Sequence, residues 1–261
     1  MMTTIRPPAV AGLFYPADVQ QLQYDLRHLL AHAKTYHAKP KALIVPHAGY
    51  IYSGAIAASA YAGLRAIAET VRRVVLLGPA HRVAVHGLAL PDADAFATPL
   101  GSVELDTDLA QAIAHLPQVT VSKAAHALEH SLEVQLPFLQ SVLGEFTLLP
   151  LAVGMTSARA VAEVLEHVWD GDETLIVVSS DLSHYLPYAV AQRMDRATID
   201  TIMQLRQLVE PDRACGHIAI NGLLLAAQHH HLVPQLLDLR NSGDTAGSKD
   251  QVVGYAAVAF S

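Results

Sequence analysis

Three apolar, strand-like runs of this chain each lead into a histidine: Ala42-Leu-Ile-Val-Pro-His47, Val74-Val-Leu-Leu-Gly-Pro-Ala-His81 and Leu175-Ile-Val-Val-Ser-Ser-Asp-Leu-Ser-His184. Continuous rather than alternating apolar character marks strands buried on both faces, as in a parallel sheet covered by helices. In such a sheet the residues just past the carboxyl ends of the strands converge on one crevice, so histidines far apart in sequence meet there. Imidazoles gathered in that way point to a metal ion or a proton-transfer centre.

Amphipathic segments alternate with the apolar runs, and no linker, repeat or low-complexity stretch interrupts them. The pattern predicts one α/β domain over residues 1–261, with a mostly parallel central sheet flanked by helices. Strands are expected over Lys41–Val45, Arg73–Leu77, Phe146–Val153 and Thr174–Ser179, with Leu236–Leu239 and Val252–Phe260 closing the sheet. Helices are expected over Asp18–Ala33, Ala55–Leu64, Asp106–His115, Ser157–Val168 and Ala189–Leu205, and again beyond Gly216. A further helix begins near Glu129, where Pro137 implies a kink or a first-turn position. Pro46–Gly54 reads as a loop, and Leu88–Leu105 as an antiparallel excursion. The polar, glycine-containing stretch Asn241–Ser248 either folds over a site or simply joins two strands.

Composition supports this class and narrows the function. Apolar residues make up 52% of the chain and its mean hydropathy is +0.29, enough for a sheet buried on both faces. No apolar run reaches the ~18 residues of a membrane span, and the first residues lack the apolar core of a secretory leader. A cytoplasmic protein with no membrane partner is the expectation. The single cysteine, Cys215, excludes an intrachain disulfide and agrees with a reducing compartment. A formal charge of −7 with scattered basic residues lacks the cationic footprint of nucleic-acid binding. Fifteen histidines are more than one site can use, so most serve packing or the surface. His229-His230-His231, at the end of an expected helix, reads as an ordinary helix C-terminus.

Within the strand ends, His47 lies between Pro46 and Ala-Gly, residues that let the chain leave a strand abruptly. His81 sits in a matching Gly-Pro-Ala context, and the two together read as a pair with a metal-binding or catalytic role. Asp181 and His184, three residues apart, suit a carboxylate that orients an imidazole, or alternatively the cap of the next helix. Glu129 beside His130 fits the acidic start of a helix. Cys215 reads either as a small buried side chain or, if it reaches the histidines, as a thiolate ligand or nucleophile. Two imidazoles and a thiolate would make a borderline-soft site suited to Zn, Cu or Fe. Zinc-protease, P-loop, nucleophile-elbow and paired-cysteine signatures are missing.

Several segments, in order along nearly the whole chain, carry a family resemblance: Ala11-Gly-Leu-Phe-Tyr-Pro16, Pro46-His-Ala-Gly-Tyr-Ile-Tyr-Ser-Gly54, Gly78-Pro-Ala-His81, Glu129-His-Ser-Leu-Glu-Val-Gln-Leu-Pro-Phe138, Ser179-Ser-Asp-Leu-Ser-His184, Cys215-Gly216 and Gly254-Tyr-Ala-Ala257. Together they resemble the Memo family, whose prokaryotic members are also called AmmeMemoRadiSam system protein B. The resemblance implies a fold related to the LigB-type class III extradiol dioxygenases, which are non-haem iron enzymes. It implies His47, His81 and Cys215 as ligands of Fe(II) or Cu, with Zn as a further candidate. Asp181 and His184 take the acid/base place, and His130 lines the pocket. Phe14, Tyr50 and Tyr52 are expected as aromatic walls. A thiolate in place of the dioxygenase carboxylate argues against ring cleavage and for other redox or oxygen-linked chemistry. The alternative is a non-catalytic module that binds a small molecule or peptide in the same crevice. A third reading is a structural accessory subunit that acts with the other proteins of the AmmeMemoRadiSam system.

Overall fold

Apolar runs that read as strands form the centre of one large sheet in the computed structural model, which describes residues 3–34, 36 and 39–261. Along the chain, β1 (Ile5–Arg6) precedes α1 (Val19–Ala31), β2 (Ala42–Val45), α2 (Tyr50–Tyr61) and β3 (Arg73–Pro79). Then come β4 (Leu88–Leu90), β5 (Ala95–Thr98), β6 (Gly101–Glu104), α3 (Thr107–Ile113), β7 (Val119–Val121), α4 (Lys123–Ala127) and α5 (Leu136–Val142). The rest comprises β8 (Thr147–Val153), α6 (Ala158–His167), β9 (Thr174–Ser179), β10 (His184–Leu186), α7 (Tyr188–Met203), α8 (His217–His229), β11 (Pro234–Asn241) and β12 (Val252–Phe260).

Strands β2, β9, β3 and β8 lie side by side in that order, all parallel. Both flanks are antiparallel: β12 runs against β2, β10 and β11, and β4 runs against β8 before pairing in parallel with β7. The α/β class therefore holds, with a mixed sheet built around a parallel centre. Connection length explains the flanks. A parallel return needs a crossover of about a dozen residues or more, usually helical, and neither β3–β4 nor β11–β12 has a helix of that size between its strands. The excursion expected at Leu88–Leu105 divides in two. Its β4 joins the main sheet, while β5 and β6 form a hairpin that pairs with β1 in a small separate sheet.

Alternate residues of the central strands feed two cores. Leu43, Val45, Val74 and Leu76 face one apolar cluster with Leu22, Leu26 and Leu30 of α1. Ala42, Ile44, Val75 and Leu77 face the other with Val161, Val164 and Leu165 of α6 and Leu223 and Leu224 of α8. This is the period-two alternation of a strand buried on both sides. Side-chain caps set several helix starts: Asp18, Asp106 and Ser157 accept from the backbone N–H groups of Gln21, Leu109 and Ala160. Pro137 sits in the first turn of α5 and kinks nothing. Among the described residues, no helix is long and apolar enough to cross a membrane.

One expected loop is helical. α2 starts at Tyr50 rather than Ala55, because Tyr50 is held from both ends. Its N–H donates to the carbonyl of Phe14 at 2.8 Å, and its hydroxyl donates to that of Val134 at 2.8 Å. Tertiary contacts here override weak helix propensity.

Candidate metal centre

Because β2, β3 and β9 are parallel neighbours, their carboxyl ends lie on one edge of the sheet, and the chain leaves each at a potential ligand. His47 follows β2, His81 follows β3, and Ser179-Ser-Asp follows from β9. A cavity of about 690 Å³ opens there, lined by His47, His81, His130, Asp181 and His184. The His47 and His81 ring centroids are 5.3 Å apart, and His130 lies 5.5 Å from the first and 4.8 Å from the second. One ring nitrogen from each of these three histidines falls within 4.8 Å of the others.

Both strand-end imidazoles are oriented through Nδ1. His47 Nδ1 is 2.9 Å from the Ser179 hydroxyl, and the His47 N–H donates to Asp181 Oδ1 at 2.8 Å. His81 Nδ1 is 2.9 Å from Glu129 Oε1, and its N–H donates to Glu129 Oε2 at 2.6 Å. Metal-ligating histidines characteristically use one nitrogen for such a partner and present the other to the ion. Here that leaves Nε2 of each ring. Burial, reinforced by the neighbouring His81, lowers the His47 pKa to about 3, so its ring is neutral and able to ligate. His130 is likewise lowered to about 4 by burial and by His47. Its Nδ1 is buried without a hydrogen bond, although Glu129 Oε1 lies 3.4 Å away. The donor set and this orphaned nitrogen fit a divalent transition-metal ion.

Cys215 sits two residues before α8, next to the N-cap Gly216. Its Sγ is 3.4 Å from His47 Nε2 and accepts the Asp181 N–H at 3.3 Å. Gly216 permits this approach: a Cβ there would lie 2.8 Å from the Ser180 Cβ. The thiol is thus in contact with one imidazole, while the closest three-donor set is made by histidines alone. Burial and the nearby Asp181 push the thiol up to about 12, and burial also raises the Asp181 carboxyl. A cation would reverse the first of these effects, because a coordinating thiol is deprotonated.

The remaining expected residues separate. Phe14, Tyr52 and His184 line the cavity with His130, and Phe14 packs on the His130 ring at 4.8 Å. Tyr50 instead is buried against Phe138, with centroids 4.9 Å apart. Two residues along a helix turn the side chain by about 200°, so Tyr50 and Tyr52 face opposite ways. His184 begins β10 at a bulge, next to Tyr185 in the left-handed region at φ 57°. Asp181 caps no helix, since α7 begins only after Pro187. Its carboxyl serves the His47 backbone, and among the described residues no hydrogen bond joins it to His184. The polar stretch before β12 does reach the site, through Ser242, Gly247 and Ser248 in the cavity wall.

Glu129 is the main residue whose sequence context misled. It starts no helix; it is 1% exposed and clamps His81. Burial opposes its charge, but hydrogen bonds from His81 and Ser131 outweigh that and hold it at about 2. Behind it, Arg6 donates to the carbonyls of Glu129 and His126 and pairs with the buried Glu133. Glu133 in turn accepts from the Ala9 and Val10 N–H groups and the Tyr15 hydroxyl, fixing the segment that carries Phe14. A distant pairing of this kind leaves no local sequence signal.

The sequence model of the Memo-like protein family matches residues 6–259. The chain belongs to the Memo family. Memo-family relatives agree over almost their full lengths. A MEMO1 family protein of Aquifex aeolicus is 38% identical over 268 residues, covering 98% of this chain and 99% of that protein. One from Archaeoglobus fulgidus is 36% identical over 276 residues, with coverage of 98% and 99%. A crystal structure of an uncharacterized protein, JW3007, from Escherichia coli K12 is similar in fold, with a TM-score of 0.55 and 15% identity. That similarity covers 83% of this chain and 98% of the other. His47, His81, His130, Asp181 and His184, all within the matched range, share one cavity wall, and Cys215 lies outside that lining.

Proposed function

We propose that this Memo-family protein holds a single iron or copper ion on His47 Nε2, His81 Nε2 and Cys215 Sγ and carries out redox or oxygen-linked chemistry on a small molecule in the adjoining cavity. The observation that carries this reading is the pair of Nδ1 clamps, Ser179 on His47 and Glu129 on His81, which leave the Nε2 atoms of two neighbouring imidazoles available to one ion. A bound iron or copper ion would supply a redox centre and a Lewis acid toward an oxygen-containing ligand. Zinc would supply only the second.

The chain's own groups prepare the rest. Burial raises the pKa of the Asp181 carboxyl, and its Oδ1 accepts from the His47 backbone, which leaves Oδ2 as the oxygen available for a proton. His184, on the cavity wall, is the partner able to take or return a proton from a ligand lying between them. Phe14, Tyr52 and Tyr255 give the cavity aromatic surface that suits a planar or apolar occupant, such as a small aromatic or a peptide side chain. Ring cleavage of the extradiol kind is disfavoured, because the third place goes to the Cys215 thiolate and the two nearby carboxyl groups are engaged, Glu129 with His81 and Asp181 with the His47 N–H.

A second ligand set, with His130 in the third place, is favoured by the 4.8 Å grouping of the three histidines. Metal analysis of untagged protein purified without oxygen should give about one equivalent in the buried centre, lost in His47→Ala and His81→Ala. In the cobalt(II)-substituted protein a sulfur-to-metal charge-transfer band that vanishes in Cys215→Ser and survives in His130→Gln supports the thiolate. The opposite pattern assigns the third place to His130. Equal metal content in wild type and both histidine variants would remove the reading altogether.

A further inference from the structure

The histidine triplet after α8 does more than end a helix. His229 and His230 turn toward Glu166 on α6, with His229 Nδ1 3.1 Å from Oε1 and His230 Nε2 2.9 Å from Oε2. We propose that Glu166, His229 and His230 form a second, surface site for a divalent late transition-metal ion such as zinc. One donor atom from each residue lies within 4.8 Å of the other two. A tetrahedral zinc ion with bonds of about 2.0–2.2 Å needs donors roughly 3.3 Å apart; the two nitrogen-to-oxygen spacings, 3.1 and 2.9 Å, have to open only slightly, and one nitrogen of each histidine already lies within 4.8 Å of the other's. Two imidazoles and a carboxylate are a donor set that suits Zn, Ni or Cu, and the exposed side of His229 leaves room for water in the remaining position.

Rigid parts support the site. α6 and α8 pack against each other, and each carries a ligand at its C-terminal end. The His230 ring is stacked on Trp169, with centroids 4.0 Å apart and planes 8° from parallel. The Trp169 turn is itself pinned by Lys41, whose Nζ donates to the carbonyls of Trp169, Asp170, Gly171 and Thr174. One ligand is therefore fixed before any ion arrives, which is the condition for a site of useful affinity. His231 stands apart: its backbone has φ 56° as the chain turns away toward β11.

The site is separate from the buried centre. Cys215 precedes α8 and His229 ends it, and 13 residues at about 1.5 Å each place the two roughly 20 Å apart. An ion at the surface site would clamp the end of α8 to α6 without touching the cavity.

Zinc titration of the untagged full-length chain, followed by calorimetry or equilibrium dialysis, tests the assignment. In a His47→Ala background the protein should still bind one zinc, and Glu166→Gln or His229→Gln should weaken that binding about tenfold or more. His231→Gln, whose side chain makes no hydrogen bond, ion pair or ring contact with the three ligands among the described residues, should leave it unchanged. Should the buried centre take no zinc, wild type would bind one equivalent rather than two, and the Glu166→Gln effect would persist. Equal zinc binding with and without Glu166 and His229, or equal loss in His231→Gln, would overturn the proposal, with circular dichroism confirming that each variant is folded.

Discussion

Replacing Glu129 by glutamine keeps the side chain's shape but removes the charge that faces His81 Nδ1 at 2.9 Å. Outer partners of this kind are typically worth 10–100-fold in metal affinity. Competition with a chelator should therefore show Glu129→Gln binding metal at the buried centre about 10- to 100-fold more weakly than wild type. Unchanged affinity would mean that His81 is fixed by its backbone alone. The same pair shows what can be read at this scale. His47 and His81 were legible because each follows an apolar run and breaker residues, a local pattern with a spatial consequence. Glu129 lies 48 residues from the ring it orients, and next to His130 it looked like an ordinary helix start. The place of Cys215 beside His47 was legible only through the family motif, since that contact spans 168 residues.

At the scale of elements, α7 meets the site through one buried acid. Asp195 is 3% exposed, accepts the Ser183 N–H at 3.1 Å, and has its Oδ2 without a partner. It packs so closely on β12 that a Cβ at Gly254 would lie 2.1 Å from Oδ2. Burial raises its pKa from 3.8 to about 6. Between those values the folded chain keeps a proton that the unfolded chain releases, so this residue's contribution to stability falls as pH rises and is lost above about 6. The window corresponds to roughly 3 kcal/mol at most. Urea unfolding from pH 4 to 7 should thus show Asp195→Asn gaining on wild type as pH increases, and a pH-independent difference would refute the role. Sequence periodicity anticipated α7 but not this acid, because an aspartate on an amphipathic helix normally faces water. α2 shows the converse: its small-residue run was read correctly as helical, while contacts from Phe14 and Val134 extended it back to Tyr50.

For the molecule as a whole, the parallel order β2-β9-β3 is what turns three separate sequence runs into one centre. The parallel direction of these strands follows from the alternation of strands and helices and was the most legible feature of the chain, whereas the place of β9 between β2 and β3 has no local sequence signal. The antiparallel flanks were less so, since they depend on short connections whose partners are remote in sequence. The proposed ligands come from the segment after β2, the segment after β3 and the turn that leads into α8, and nothing holds them together in an unfolded chain. Metal binding at the buried centre must therefore stabilise the entire fold by linkage, by about 2.7 kcal/mol when free ion exceeds the dissociation constant a hundredfold. For a domain of this size that is a rise in Tm of roughly 5 to 10 °C. A Glu166→Gln background removes the surface site from the measurement. In that background, ferrous iron under anaerobic conditions should raise Tm, chelation should restore the lower value, and the added variant His47→Ala should abolish the shift. A shift of equal size without His47 would place the ion outside the three strand ends and separate metal binding from the architecture that brings them together.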